Sequence, residues 1–333
     1  MSERKSTIYD VAKKSETSIT TVSRVLNNPD KVAADTKEKI YKAMKELGFV
    51  PKAEARERAK KNIGRIGVIT PFLTHPSFMH RLKGITDGLK ATPYELTIIT
   101  VANKTDINDY LRSINLTNRL DGIIVISQKL SRESIRLIKE LKIKTIFIEF
   151  EEHDFPGIFI DNTKGGEFVA EYLHDKGFKT FSVLTEQDIQ TSESPNILRV
   201  NGFRKRLLDF NKKIDDSEIF FTNNNFDQAL EVAKEIVSRE ILPEVVFATT
   251  DLLAVAMLKA ARNRDLEIPK DLGIIGFDGT DTSEYMDITT VDQSLEVSGK
   301  LAAELLINYI ENPDFALQKT YLPLNVIERS TIK

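Results

Sequence analysis

Residues 6–27, with the sequence STIYDVAKKSETSITTVSRVLN, contain two short helical patterns joined by a polar turn. Each pattern carries an apolar stripe at i, i+3 and i+4, the spacing that places side chains on one face of a helix. The stripes are formed by Ile8, Val11 and Ala12 in the first helix and by Val22, Val25 and Leu26 in the second. Ser18 stands where the second helix would begin and is a favourable N-cap. The segment is therefore predicted to fold as two short helices that pack through these stripes.

The side chains on the opposite face of the second helix are polar, apart from one isoleucine, and most of them are short. It carries Ile19, Thr20, Ser23 and Arg24. Small hydroxyls bond to phosphates and base edges, and arginine pairs with guanine, so this face suits the major groove of DNA. The alternative is a small helical pair whose polar face is only solvated.

Many positions in and after this segment match one family at once. They are TIYDVA at 7–12, Ser18, TVSRVLN at 21–27, Lys39-Ile40 and Leu47-Gly48-Phe49. On these residues the segment closely resembles the helix-turn-helix of the LacI/GalR family of bacterial transcriptional regulators. The resemblance continues through nearly the whole chain and implies a regulator that binds a DNA operator.

Charge is distributed unevenly along the 333 residues. Residues 1–62 contain 15 Lys and Arg against 9 Asp and Glu, whereas the remainder contains 32 against 41. A basic amino-terminal segment on an acidic body favours contact with a polyanion, although a solvated charged surface is the alternative. The chain has no cysteine, no apolar signal-peptide core and no run of the roughly 18 apolar residues that a membrane span needs. A cytoplasmic protein without membrane contact is expected.

A third helix and a charged linker follow the first two helices. Residues 34–47 form an amphipathic pattern that ends at Gly48, and residues 51–63 are charged, alanine-rich and poor in large apolar side chains. The predicted domains are therefore a headpiece at 1–50, a hinge linker at 51–63 and a body at 64–333.

In the body, short apolar runs alternate with longer helical patterns. Runs that are apolar on both faces are typical of parallel strands covered by helices. The predicted strands lie near 66–69, 96–99, 122–126, 145–148, 182–184, 245–248 and 273–277. The predicted helices lie near 77–91, 106–118, 131–141, 163–176, 198–211, 226–239, 251–264 and 294–311. This alternation predicts an α/β fold with doubly wound parallel sheets.

The length of the body favours two lobes over one sheet. By the family resemblance, the body is similar to a periplasmic sugar-binding protein in which two doubly wound lobes are joined by three crossovers. The resemblance places the first lobe at about 64–161 and 292–322, and the second at about 162–291 and 323–333.

The resemblance also assigns DNA contacts to individual residues. Ile19, Thr20 and Arg24 would face base edges, with contact to phosphate alone as the alternative for Arg24. Short donors would hold phosphates, although some, Ser18 above all, would also serve as helix caps. These donors are Thr7, Tyr9, Ser18, Thr21, Ser23 and Asn27.

Two departures from the family pattern bear on these contacts. Glu16 stands in the turn where the family usually has glycine, which tolerates backbone angles that glutamate resists. Arg58 stands where the linker usually has the leucine that wedges into the minor groove. An arginine instead suits a narrow, electronegative minor groove, so we expect Arg58 to grip DNA electrostatically and to bend it less.

Asp278 is the strongest candidate for effector binding. It ends an apolar strand pattern, and open α/β sheets bind ligands at the carboxyl ends of their strands. Arg199 matches the family arginine that contacts the effector, and its fork of donors suits sugar oxygens or a carboxylate. The alternative for this pair is a salt bridge between the lobes without a ligand.

Other effector candidates depend on weaker signals. Thr250-Asp251 matches a family Asn-Asp pair, and Phe221 falls where relatives often place an aromatic ring, with core packing as its alternative. Three residues after the first strand of the body are pocket candidates by their loop position, although a surface role is the alternative. They are Thr74, His75 and Phe78.

The sequence contains no phosphate-binding glycine loop, no metal-binding spacing of its 4 histidines and no serine nucleophile elbow. We therefore expect no enzyme, no metal and no cofactor. The preferred prediction is a homodimeric repressor of carbohydrate genes that binds a pseudo-palindromic operator and responds to a small-molecule effector, most simply a sugar. The alternatives are a sugar-binding protein without DNA function and a regulator that uses a protein co-repressor.

Overall fold

The computed structural model describes residues 6–27, 31–47, 49, 64–70, 74–100, 104–117, 120–186, 194–223, 225–312 and 314–333. One compact unit comprises Met1–Gly64 and Asn118–Asp121, and the other comprises Arg65–Thr117 and Gly122–Lys333. The part of the first unit up to residue 50 is called the headpiece, and the second unit is called the body. No helix in these ranges is long and apolar enough to cross a membrane.

The headpiece contains three described helices, α1 (Ile8–Lys14), α2 (Ile19–Asn27) and α3 (Ala34–Glu46). Their apolar stripes meet in one small core, as the spacing predicted. The buried core residues are Val11, Ala12, Val22, Val25, Ile40 and Ala43. Helix α1 begins after Thr7, whose N–H and hydroxyl both donate to the Asp10 carboxylate at 2.7 Å. The structure thus confirms a small helical headpiece.

The body contains two six-stranded sheets. The strand order of the first sheet is β11-β5-β4-β3-β1-β2, and every described pairing in it is parallel. Its strands are β1 (Arg65–Thr70), β2 (Glu95–Thr100), β3 (Gly122–Ile126), β4 (Lys144–Ile148), β5 (Gly157–Phe159) and β11 (Lys319–Tyr321).

The second sheet repeats this plan with the order β12-β10-β9-β8-β6-β7. Its only antiparallel described pairing joins β12 to β10. Its strands are β6 (Phe181–Glu186), β7 (Ile219–Thr222), β8 (Val245–Ala248), β9 (Gly273–Asp278), β10 (Thr289–Asp292) and β12 (Asn325–Ile327). Each sheet with its helices is called a lobe.

Helices connect the strands and cover the sheets, as expected for parallel strands. Those of the first lobe are α4 (Pro76–Leu89), α5 (Lys104–Thr117), α6 (Arg132–Glu140) and α12 (Leu295–Glu311). Those of the second lobe are α7 (Asn162–Asp175), α8 (Pro195–Asp209), α9 (Phe226–Ser238), α10 (Asp251–Asn263) and α11 (Asp281–Tyr285). The predicted α/β architecture with two doubly wound lobes is confirmed.

Alternate residues of a strand face opposite layers of the second lobe. In β8, Val245 and Phe247 pack in the core beneath α7 and α8, whereas Val246 and Ala248 pack beneath α9 and α10. The sheet is therefore buried on both sides, which explains why its central strands read as continuous apolar runs.

Helices α7 and α8 approach each other closely at two glycines. A Cβ atom on Gly166 would lie 1.8 Å from the carbonyl oxygen of Arg199, and one on Gly202 would lie 1.9 Å from that of Thr163. Only glycine permits this approach, and the approach fixes the position of Arg199 on α8.

Candidate DNA-binding face and effector site

Helix α2 presents to solvent the face that the sequence assigned to DNA. Val22 and Val25 are completely or almost completely buried, whereas Ile19 is 42% exposed and Thr20 and Arg24 are also exposed. The buried stripe therefore orients the three candidate base-reading side chains outward.

The candidate phosphate ligands have different environments. Tyr9 is 67% exposed, and Thr21 and Ser23 are half-buried. Ser18 caps α2, because its hydroxyl accepts a hydrogen bond from the N–H of Thr21 at 3.0 Å. A cap and a phosphate contact are compatible roles, since a helix amino terminus attracts anions. The side chain of Asn27 and all of Arg58 lie outside the described residues.

Glu16 adopts a left-handed backbone conformation, with φ of 54°. It therefore takes up the backbone angle for which glycine is suited. The turn between α1 and α2 keeps its geometry, and Glu16 bears the conformational cost.

Arg199 projects from α8 into a buried polar site at the carboxyl ends of the strands. Its side chain is 2% exposed, and its guanidinium stacks on Phe277, 3.9 Å from Cζ to the ring centroid. Nε donates to Asn162 Oδ1 at 2.9 Å, and Nη1 donates to the carbonyl of Thr249 at 2.7 Å. Arg199 is thus held by three neighbours, Asn162, Thr249 and Phe277.

Asp278 lies beside Arg199, as the sequence predicted. Its Oδ1 is 3.4 Å from Arg199 Nη1 and accepts a hydrogen bond from Gln293 Nε2 at 2.5 Å. Burial raises the pKa of Asp278 to about 6, although Arg199 acts to lower it. Its φ of 131° lies in a region that costs free energy for residues other than glycine, and such strain is often found at functional sites.

The first lobe contributes a second buried arginine to this site. Arg81 on α4 donates from Nη1 to Ser127 Oγ at 2.9 Å and from Nη2 to Gln293 Oε1 at 3.2 Å. Its Nη2 is also 3.2 Å from Oε1 of Glu149, which in turn lies 3.9 Å from Arg199 Nη2. Burial acts to raise the pKa of Glu149, but the two arginines outweigh this effect and lower it.

Ion pairs and hydrogen bonds among these residues connect the two lobes. Arg81 and Glu149 belong to the first lobe, and Arg199 and Asp278 belong to the second. Gln293, at the crossing into α12, bridges Arg81 and Asp278. The pair that the sequence singled out is therefore one half of an interlobe network.

His75 faces the second lobe at the amino terminus of α4. Its Nε2 lies 4.0 Å from Oε1 of Glu186, at the carboxyl end of β6, and its Nδ1 is hydrogen-bonded to Ser77 Oγ at 2.7 Å. Burial lowers the pKa of His75, although Glu186 opposes this effect. Burial also raises the pKa of Glu186.

Phe221 is not part of the core, which was the alternative that the sequence left open. Its ring is 46% exposed at the end of β7. It lines a cavity of about 400 Å³ together with Thr222, Asn223, Asp227, Gln228, Glu231 and Val232.

The remaining effector candidates take other positions. Phe78 is 3% exposed and packs in the core of the first lobe, and Thr74 is exposed. Thr250 caps α10 by accepting a hydrogen bond from the N–H of Leu253. Asp251 accepts hydrogen bonds from the N–H and hydroxyl of Thr280 and from the hydroxyl of Thr290. Phe78, Thr250 and Asp251 thus each make structural contacts within their own lobe.

Sequence reasoning missed several polar residues of the site, among them Arg81, Glu149, Glu186 and Asn196, whose Nδ2 donates to Glu186 Oε2 at 3.1 Å. Glu149 directly follows β4 and Glu186 ends β6, which is the same signal that identified Asp278. No comparable signal marks Arg81, because an arginine within a helix is usually solvated.

Comparisons with known proteins place these features in a family. Residues 7–52 match the model for bacterial regulatory proteins of the lacI family, and residues 170–332 match the periplasmic binding protein-like domain. The HTH-type transcriptional regulator RegA of Clostridium saccharobutylicum is 30% identical over 332 residues, which cover 97% of this chain and 98% of the relative.

Two solved structures show the same fold. The lac repressor dimer bound to operator and the anti-inducer ONPF has a TM-score of 0.79 at 21% identity, covering 98% of this chain and 99% of that chain. The transcriptional regulator CelR in complex with cellobiose has a TM-score of 0.71 at 20% identity, with the same coverage.

A helical DNA-binding headpiece joined to a two-lobed, periplasmic-binding-protein-like body defines a transcriptional regulator rather than an enzyme. The chain belongs to the LacI family of bacterial regulatory proteins. The family was predicted from the helix-turn-helix residues and from the resemblance that continues through the body.

Proposed function

We propose that this protein represses carbohydrate-utilisation genes and that a sugar-like effector bound between its lobes changes its affinity for the operator. The observation that carries the proposal is the outward polar face of α2, where Thr20 and Arg24 lie opposite a buried apolar stripe. Such a face fits the major groove, and Arg24 would bond bidentately to guanine.

The proposed assembly is a cytoplasmic homodimer on a pseudo-palindromic operator. It has a headpiece at 1–50, a hinge at 51–63 whose Arg58 enters the minor groove, and a body at 64–333. The lac repressor, which has a similar fold, is a dimer bound to operator in its solved structure.

The proposed effector site is the buried polar cluster around Arg199 and Asp278. It lies at the carboxyl ends of the strands, where open α/β sheets bind ligands. Contacts across this cluster join the two lobes, so a ligand that displaces them changes the balance between two arrangements of the body. CelR, which has a similar fold, was solved with cellobiose.

The test begins with an operator duplex selected from a random pool by the full-length protein. We expect Arg24→Ala to weaken binding to the selected duplex by about 10- to 100-fold, the value of one bidentate base contact, and to affect random DNA little. Fluorescence anisotropy measures both affinities. Lys42→Ala, which removes an exposed positive charge from α3, is the control and should retain selectivity.

Two outcomes would contradict parts of the proposal. Equal losses on selected and random duplexes, with a salt dependence reduced by about one phosphate contact, would assign Arg24 to the backbone. An operator affinity that no sugar or related small molecule changes would remove the effector from the mechanism.

A further inference from the structure

Among the residues that the structure describes, the buried charges that meet between the lobes are unequal in number. Arg81 and Arg199 supply two positive charges, whereas Glu149, Asp278 and Glu186 supply three negative charges. The side chain of each is at most 13% exposed. The cluster therefore has one carboxylate more than it has arginines. A buried charge costs free energy unless it is paired with an opposite charge, so this extra carboxylate is costly.

Two of the three carboxylates are well paired. Glu149 lies 3.2 Å from Arg81 and 3.9 Å from Arg199, and Asp278 contacts both Gln293 and Arg199. The guanidinium groups are therefore directed toward Glu149 and Asp278, and the excess charge falls on Glu186.

Glu186 has one satisfied and one unsatisfied oxygen. Its Oε2 accepts a hydrogen bond from Asn196 Nδ2 at 3.1 Å. Its Oε1 is buried and has no hydrogen-bond partner among the residues that the structure describes. A buried acceptor in this state costs free energy that a ligand with a matching donor would recover.

His75 does not supply the missing positive charge at neutral pH. Its Nε2 lies 4.0 Å from Glu186 Oε1, beyond hydrogen-bonding distance, and burial lowers the pKa of its imidazole. The ring is therefore neutral near pH 7 and leaves the carboxylate without a cation.

We propose that the effector bears a protonated amino group that pairs with Glu186 Oε1, so that the ligand is an amino sugar or amino polyol rather than a neutral sugar. This inference rests on the proposed function, because it requires an effector between the lobes. An ammonium group supplies the missing charge and up to three donors. Buried Arg81 Nε, which also has no partner among the described residues, is free to donate to a ligand hydroxyl.

The cavity at the end of β7 has a lining charge of the same sign as Glu186. Thr222 pairs with Glu186 across the sheet and lines the cavity that also contains Phe221. The charged side chains lining this cavity are Asp227 and Glu231, the latter paired with Lys234. Carboxylates and an exposed aromatic ring favour a cation at this position.

The test is a calorimetric titration of the full-length protein with matched ligand sets. Each set contains an amine, its N-acetyl derivative where one exists, and its hydroxyl parent: glucosamine with N-acetylglucosamine and glucose, the galactose series, and glucamine with sorbitol. We expect at least one amine to bind about 10- to 100-fold more tightly than its neutral counterparts, as a charged hydrogen bond to a buried group predicts.

Three variants separate charge from fold. Glu186→Gln should abolish the preference for the amine, and Glu186→Asp, which keeps the charge, should preserve it. Glu240→Gln, the same change at an exposed position of the second lobe, should leave it intact. A preference that survives Glu186→Gln, equal binding of amine and hydroxyl compounds, or no binding of any amine overturns the inference.

Measuring operator affinity in the presence of each compound distinguishes failure of the amine inference from failure of the proposed function. A neutral sugar that binds and changes operator affinity, while the amines do not, overturns the inference alone. If no compound in any set changes operator affinity, both the amine inference and the proposed effector response are contradicted.

Discussion

Glu16 shows at the level of one residue how a sequence departure is accommodated. It holds φ at 54° in the turn between the first two helices, a conformation that costs a residue with a Cβ about 1 kcal/mol or more. The position therefore retains the geometry that a glycine would provide and loses some stability.

We expect Glu16→Gly to stabilise the headpiece by about 1 kcal/mol, because the left-handed conformation costs glycine little. Hydrogen exchange of the α1 and α2 amides in the full-length protein measures the effect, which corresponds to roughly fivefold slower exchange. Glu16→Ala removes the charge but keeps the Cβ, and should show no gain. An equal gain in both variants would assign the effect to charge.

Asp251 makes the stability of the body depend on pH. Burial, followed by the charge of Asp278, raises the pKa of Asp251 from 3.8 to about 7. The native carboxyl group therefore holds a proton over a range in which the unfolded one has lost it. Its stabilising contribution is fully present below pH 3.8 and is lost as the pH rises through 7.

We expect Asp251→Asn to gain stability relative to the wild type as the pH rises from about 5 to about 8, because the amide never ionises. The free energy changes by about 1.4 kcal/mol per unit of pKa shift, so the gain should reach a few kcal/mol. Urea denaturation at several pH values measures it, with exposed Asp314→Asn as the control. A difference from wild type that is independent of pH would contradict the prediction.

At the scale of elements, the glycine contact between α7 and α8 positions Arg199 in the proposed effector site. The backbones approach so closely that a Cβ on Gly202 would lie 1.9 Å from the carbonyl oxygen of Thr163. Gly202 follows Arg199 by almost one turn of α8, so any separation of the helices also moves the guanidinium away from Asp278.

We expect Gly202→Ala to destabilise the body by roughly 3 kcal/mol or more, because backbone atoms rather than a flexible side chain block the added methyl group. Gly177→Ala is the matched control. Gly177 has φ of 87°, but no atom of the described residues lies within 4 Å of the place that an added methyl group would take, so the backbone cost of about 1 kcal/mol applies. Urea unfolding of both variants measures the difference, and equal losses would show that the helices can separate without cost.

The central strands could be predicted from the sequence and several others could not. Strands β3 and β9 are buried along their whole length and read as apolar runs. Strands β5, β11 and β12 contain three residues each. The side chains of Lys319–Tyr321 do not alternate between apolar and polar. These segments are extended because they pair with a neighbouring strand, and that pairing cannot be read from a single sequence.

At the scale of the molecule, the buried polar cluster around Arg199 and Asp278 depends on contacts between residues that are distant in the chain. Arg81 and Gln293 are 212 positions apart, and Arg199 and Asp278 are 79 apart. The position of Asp278 could be predicted because a strand end is a local feature. The contacts of Arg81 could not be predicted, because they depend on how the two lobes pack against each other. The local sequence pattern of neither lobe specifies that packing.

Strands β11 and β12 have a further consequence for how the protein is made. They follow every other described strand in the chain, and each completes the edge of a different sheet. A growing chain folds from its amino terminus, so the headpiece leaves the ribosome long before either lobe has all its strands. A ribosome that stalls before Lys319 would hold a nascent chain with a formed headpiece and a body in which both sheets are unfinished.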